Sequence, residues 1–203
     1  MRSEQKMALV LGIFIAIFLI FAIVIYVTRN TGTYEYDNGY DTFIIQEIKD
    51  EEIEYSKIMI YLNGESNFKY LNLIYGPRQL EDIPVDFKRD DLLTKELIYI
   101  TFDPGTNLSS KGSVAAIELA KVISNKFLYD IPTEGATTSE SNGYPIITCS
   151  DVNETTGVIY MKMSNQTEIY SKEGCIIMTG ANEDDLIRSA DKLGLILMEI
   201  MRQ

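Results

Sequence analysis

Histidine and tryptophan are absent from this chain, and cysteine occurs only twice. Without imidazole there can be no Ser–His or Cys–His nucleophile and no histidine-ligated zinc. Two cysteines also fall short of the four ligands that a structural zinc site takes. Charge and proline are both missing from residues 7–27, an unbroken apolar run that opens at Met7 and closes at Val27. With no ionisable group inside it, the run argues against a proton or ion pathway, and one helix cannot enclose a pore.

As a helix rising ~1.5 Å per residue, this run reaches roughly 30 Å, the thickness of a bilayer's hydrocarbon core. A cleaved signal peptide has a shorter apolar core of about 7–15 residues and a small-residue cleavage site. Here the run leaves through Ile25-Tyr26-Val27-Thr28-Arg29 with no such site. The sequence therefore predicts an uncleaved anchor, with the lipid bilayer as its partner over Met7 to Val27. Arg2 and Lys6 precede the run and Arg29 alone follows it closely, which predicts a cytoplasmic N-terminus and an extracytoplasmic C-terminal domain in the cell membrane.

Beyond the anchor about 170 residues remain, enough for one sizeable core or two small ones. They carry 15 basic against 29 acidic side chains, a charge of −14. Such a surface repels phosphate backbones, so nucleic acid is excluded as a partner. If the domain lies outside the cell, Cys149 and Cys175 read as one disulfide, the alternative being two buried thiols. Three N-x-[ST] tripeptides, at Asn107, Asn153 and Asn165, stand in polar stretches where a glycan has room.

The chain divides into a cytoplasmic stretch 1–6, the transmembrane anchor 7–28, a polar linker 29–40, a β-rich region 41–96 and an α/β domain 97–203. In the β-rich region, runs 42–48, 57–62 and 68–75 are rich in Ile, Tyr and Phe, with Asn63-Gly64 as a hairpin signal. A charged connection over 77–95 holds a short helix near 90–96. Residues 97–102 then form a compact apolar strand. In the next segment Ala116, Leu119, Ala120, Ile123 and Phe127 fall at helical spacing. Runs 145–149, 157–163 and 174–179 predict three further strands. The final helix is the clearest, with Asn182 as N-cap, Glu183, Asp184 and Asp185 in its first turn, and Leu186, Ala190, Leu193, Leu197 and Ile200 on one face. The fold class is α/β (α+β): an N-terminal transmembrane helix, a small antiparallel β region, and an α/β sandwich with helices packed on a mixed sheet.

Candidate chemistry is thin. The loop 105–113 has the look of a phosphate loop, but Ser110 stands where the second glycine belongs and Gly112 follows Lys111 where Ser or Thr is required. The acidic clusters Asp50-Glu51-Glu52, Asp90-Asp91 and Glu183-Asp184-Asp185 lack the alternating spacing of a calcium loop and read as solvated faces. No catalytic, cofactor-binding or metal-ligating residue nominates itself.

The run 174–193, GCIIMTGANEDDLIRSADKL, resembles a strand–glycine–acidic-cap–helix unit. That unit recurs in archaeal surface-layer-type domains and in uncharacterised membrane-anchored archaeal envelope proteins. Segments 98–104, 113–125 and 145–151 are similar to the latter group as well. The resemblance covers residues 77–201 and implies an envelope location, with no activity to carry over. The expectation is a single-pass, extracytoplasmic, non-enzymatic interaction or structural module of the cell envelope. The alternative is an extracytoplasmic hydrolase acting on glycans or peptides through carboxylates, recognisable by a cleft that holds two or more partly buried ones. A pilin-like subunit is a third reading, weakened by the lack of a prepilin-type cleavage signal and of an acidic residue opening the apolar run.

Overall fold

The computed structural model describes residues 3–49, 54–61, 68–106, 110–141 and 143–203. It opens with helix α1 (Ser3–Asn30), 28 residues long. The side chains of α1 are described over residues 11–25, where the large apolar groups stand exposed, Phe18 at 73%. Among the described residues no helix is long and apolar enough to cross a membrane.

Four strands follow, β1 (Thr31–Asp37), β2 (Thr42–Lys49), β3 (Glu54–Tyr61) and β4 (Phe68–Leu73), paired antiparallel in the order β1-β2-β3-β4. The predicted linker 29–40 is thus corrected. Thr31 to Asp37 pair residue for residue with Ile48 to Thr42, and the ladder on β2 overrides the weak strand preference of Thr31-Gly32-Thr33. Asn63-Gly64 lies outside the described residues.

Next come β5 (Val85–Asp86), α2 (Asp90–Leu93), β6 (Leu97–Phe102), α3 (Ser110–Ile123), β7 (Thr133–Thr137), β8 (Thr156–Met163), β9 (Ile169–Lys172), β10 (Cys175–Gly180) and α4 (Glu183–Leu197). The second sheet runs β5-β9-β10-β8-β6-β7. It is mixed: β9 runs antiparallel to β10, and the other pairs are parallel. Because β5 joins this sheet, the boundary expected near residue 96 does not separate the two parts.

The mixed sheet buries both faces, as a parallel sheet does. Ile98 and Ile100 of β6, Ile159 and Met161 of β8, and Ile176 and Met178 of β10 turn toward α3 and α4. Val158, Cys175 and Ile177 turn the other way and are covered by Ile147, Cys149 and Val152. Segment 145–149, expected as a strand, forms no ladder: it meets the sheet through a single bridge between Thr137 and Ile146 and runs into a short 3-10 turn at Cys149–Asp151. Ile147 and Cys149 are half-buried against the sheet while Ile146 is 54% exposed, so the apolar run marks partial cover rather than a ladder position.

Helices α3 and α4 share one core with Ile45, Ile58, Leu71 and Leu73 of the first sheet. They therefore lie between two sheets, and α4 is buried continuously from Ser189 to Leu197. Asn182 caps α4 as expected, its Oδ1 accepting from Asp185 N–H at 3.0 Å. Gly180, at the end of β10, sits where a Cβ would lie 2.5 Å from Leu186 N and 2.7 Å from Asn182 O.

Gly180→Ala is expected to destabilise the domain by about 1–3 kcal/mol, since the contact is with backbone that cannot swing aside. Asn182→Ala should cost about 1 kcal/mol through the lost cap. Both are read as shifts in urea unfolding midpoint, and an unchanged midpoint for Gly180→Ala would mean that the turn relaxes freely.

Candidate functional site

The Asp37–Asp41 turn between β1 and β2 is built by its own side chains. Asp37 Oδ1 accepts from Gly39 N–H at 2.6 Å, and Asn38 Oδ1 accepts from Tyr40 and Asp41 N–H, both at 2.9 Å. Gly39 has φ +88°, a conformation that favours glycine. The turn leaves Tyr40 84% exposed, and the Arg202 guanidinium lies 3.5 Å above its ring.

The chain leaving α4 is stitched to this turn. Asn38 Nδ2 donates to Glu199 O at 2.6 Å, and Glu199, at φ +60°, pairs with Arg89. The Tyr129 hydroxyl donates to Leu197 O, and burial raises the pKa of that phenol. Between these contacts, the β2–β3 surface and the segment after α3 lies a groove of about 1370 Å³. Phe43, Ile44, Ile60, Phe127 and Leu128 supply its apolar walls, and Arg89, Lys126 and Arg202 its cations. Phe127 is 59% exposed, with Lys69 Nζ 4.6 Å from its ring centroid. The Arg89 Nε–H is buried with no hydrogen-bond partner among the described residues.

Among the described residues the side-chain carboxylates lining the groove are Asp41 and Glu199. Both are exposed, and Glu199 is held by Arg89. The arrangement suits recognition through aromatic faces and guanidinium groups. It offers no paired, partly buried carboxylates of the kind acid–base hydrolysis uses.

A second polar cluster is sealed inside. Glu118 of α3 and Asp191 of α4 are only 3% and 1% exposed. Lys121 Nζ lies 2.5 Å from Glu118 Oε1 and 3.4 Å from Asn72 O of β4, while Asp191 Oδ2 accepts from Tyr75 N–H at 2.7 Å. Glu118 Oε2 and Asp191 Oδ1 are buried with no donor among the described residues. The sequence hid this pair because a lone acid in a mixed polar and apolar helix reads as solvent-facing, and only the packing of α3 and α4 encloses both.

Cys149 and Cys175 stand at disulfide distance, Cα to Cα 5.1 Å, joining the segment over the mixed sheet to β10. Asn153 and Asn165 are exposed, although the Asn153 side-chain Oδ1 already accepts from Thr155 and Thr156 N–H. Asn107 lies outside the described residues, as does the acidic run Asp50-Glu51-Glu52. Lys111 of the glycine-rich loop reaches Asp184 at 2.7 Å. That contact joins the N-terminal turns of α3 and α4 and engages the lysine a phosphate would use. Asp185 pairs with Arg188 at 2.9 Å. Among the described residues no group of acidic, cysteine or histidine side chains is placed to hold a metal ion.

Cys149→Ser should lower stability by about 2–4 kcal/mol by opening the bridge, whose cysteines lie 26 residues apart, while leaving buried Cys175 in place. Reductant should lower the melting temperature of the wild type to that of the variant. If reductant changes nothing, the bridge does not form.

Compared with known proteins, the chain matches no family model, no curated protein and no solved structure.

Proposed function

We propose that this chain is a single-pass, membrane-anchored extracytoplasmic protein of the cell envelope and acts there as a non-enzymatic interaction module. The observation that carries this reading is the groove: exposed aromatic rings and cations gathered from separate segments of an otherwise strongly acidic domain. Its position supports the reading too. α1 passes directly into β1, and that strand runs about 20 Å before reaching the turn that borders the groove. With α1 in the bilayer over residues 7–27, the groove opens on the side away from the lipid, toward another envelope component. The bridging distance of Cys149 and Cys175 suits an oxidising compartment. The exposed Asn153 and Asn165 are then candidate glycan acceptors, together with Asn107. The resemblance of residues 77–201 to archaeal envelope proteins points the same way, and the exposure of the groove's carboxylates weighs against the hydrolase alternative.

Topology is tested with a membrane-impermeant amine reagent on intact cells, followed by peptide mapping. Lys126 and Lys172 should be modified and Lys6 spared, and the reverse pattern would place the domain in the cytoplasm. For the interaction, a photo-crosslinking residue is installed at Phe127 and, as a control, at Ile117, an exposed apolar position of α3 outside the groove. Discrete crosslinked partners should appear at Phe127 and not at Ile117. Equal labelling from both positions would remove the groove from the interaction.

A further inference from the structure

We propose that Glu118 and Asp191 share one proton, and that this proton clasps α3 to α4 where both helices meet the exit from β4. The geometry asks for it. Two buried carboxyl oxygens, Glu118 Oε2 and Asp191 Oδ1, both lack a donor among the described residues, and they belong to α3 and α4, two helices packed directly against each other. Two carboxylates can only accept, so as a pair of anions they would leave both oxygens unpaired at the core of the molecule. A single proton on Asp191 Oδ1, donated to Glu118 Oε2, satisfies both atoms at once.

The remaining oxygens are already engaged. Glu118 Oε1 faces Lys121 Nζ, and Asp191 Oδ2 accepts from Tyr75 N–H. The cluster thus joins α3, α4 and the exit from β4, where Lys121 also meets Asn72 O. From α3 the facing charges are Glu118 and Lys121. The Tyr75 segment contributes its backbone N–H, and its phenol interacts electrostatically with Asp184, Arg188, Asp191 and Lys111. On α4 itself Arg188 is held by Asp82 and Asp185, and Lys192 faces Glu81 and Asp82. Lys121 is therefore the cation that acts on the pair, and its direct contact is with Glu118. Burial and the neighbouring Glu118 raise the Asp191 carboxyl well above the ordinary carboxylate range, against the opposing pull of the Tyr75 N–H.

The folded state then holds a proton that the unfolded chain releases above about pH 4. From there up to the folded-state pKa this pair makes the unfolding constant rise about tenfold per pH unit, and beyond that pKa its contribution is level. Through this pair the folded domain as a whole is therefore more stable in acid than in alkali.

The test uses the full chain in detergent micelles, unfolded by urea across a pH series. Asp191→Asn places an amide donor opposite Glu118 Oε2 and keeps an acceptor for Tyr75 N–H, fixing the protonated arrangement. It should fold and lose the tenfold-per-unit component of the wild-type pH dependence. Glu118→Gln, which offers its own amide donor to Asp191 Oδ1, should lose it as well and decides the matter if Asp191→Asn does not fold. In the wild type, carbon-detected NMR should find the Asp191 carboxyl still protonated at pH values where ordinary carboxylates are ionised, with the Tyr75 amide shift following the same titration. An Asp191 carboxyl that ionises near pH 4, or variants that keep the wild-type slope, would overturn the shared proton.

Discussion

The enclosure of α4 is the constraint on which the rest of the structure depends. A helix buried over nine consecutive residues, Ser189 to Leu197, needs cover on every side, and no single sheet can provide it. The mixed sheet takes one side through Ile176 and Met178, the antiparallel sheet closes another through Ile45, Ile58 and Leu73, and α3 fills the flank. At the flank the fit is close, since a Cβ on Gly194 would stand 3.0 Å from Val122 Cγ2. Two polar residues of α4 take partners in this setting. Ser189 donates to Thr179 O at 2.8 Å, and Asp191 receives the Tyr75 N–H. Each such bond ties α4 to a different neighbour, so the polar minority of the helix fixes which elements surround it.

The same logic explains the far side of the mixed sheet. With both helices on one face, Val158, Cys175 and Ile177 on the other need cover, and the chain supplies an irregular strip rather than a third helix. The Thr101 hydroxyl donates to Ile147 O at 2.8 Å, and the Cys149–Cys175 contact fastens the strip's other end. A strip with so few backbone bonds to the sheet gains most from a covalent staple.

Much of this was legible in the residues themselves. The cap at Asn182, the apolar period of α3 and α4, and the strands Leu97–Phe102 and Cys175–Gly180 are local signals that the fold respects. What was not legible depended on partners distant in the chain. Thr31–Asp37 holds Gly32 and polar residues and becomes a strand because β2 lies beside it. Thr133–Thr137 carries Gly135 at its centre and is ordered by β6, and Ile169–Lys172 is too short for a pattern to emerge. The error at 145–149 ran the other way, where apolar residues cover a sheet without joining it. The groove was hidden for a related reason: Tyr40, Arg89, Phe127 and Arg202 come from four separate places, and no spacing rule joins them.

The direct passage from α1 into β1 has a mechanical consequence. β1 is an edge strand whose seven residues are all paired with β2. A pull applied between α1 and the groove runs along the length of β1, from Thr31 toward the turn at Asn38. The ladder bonds lie across that direction, so they are loaded together, in shear, instead of being peeled apart one at a time. With no slack between helix and strand, the sheet itself is the tether, and whatever fixes α1 also fixes the height and facing of the groove.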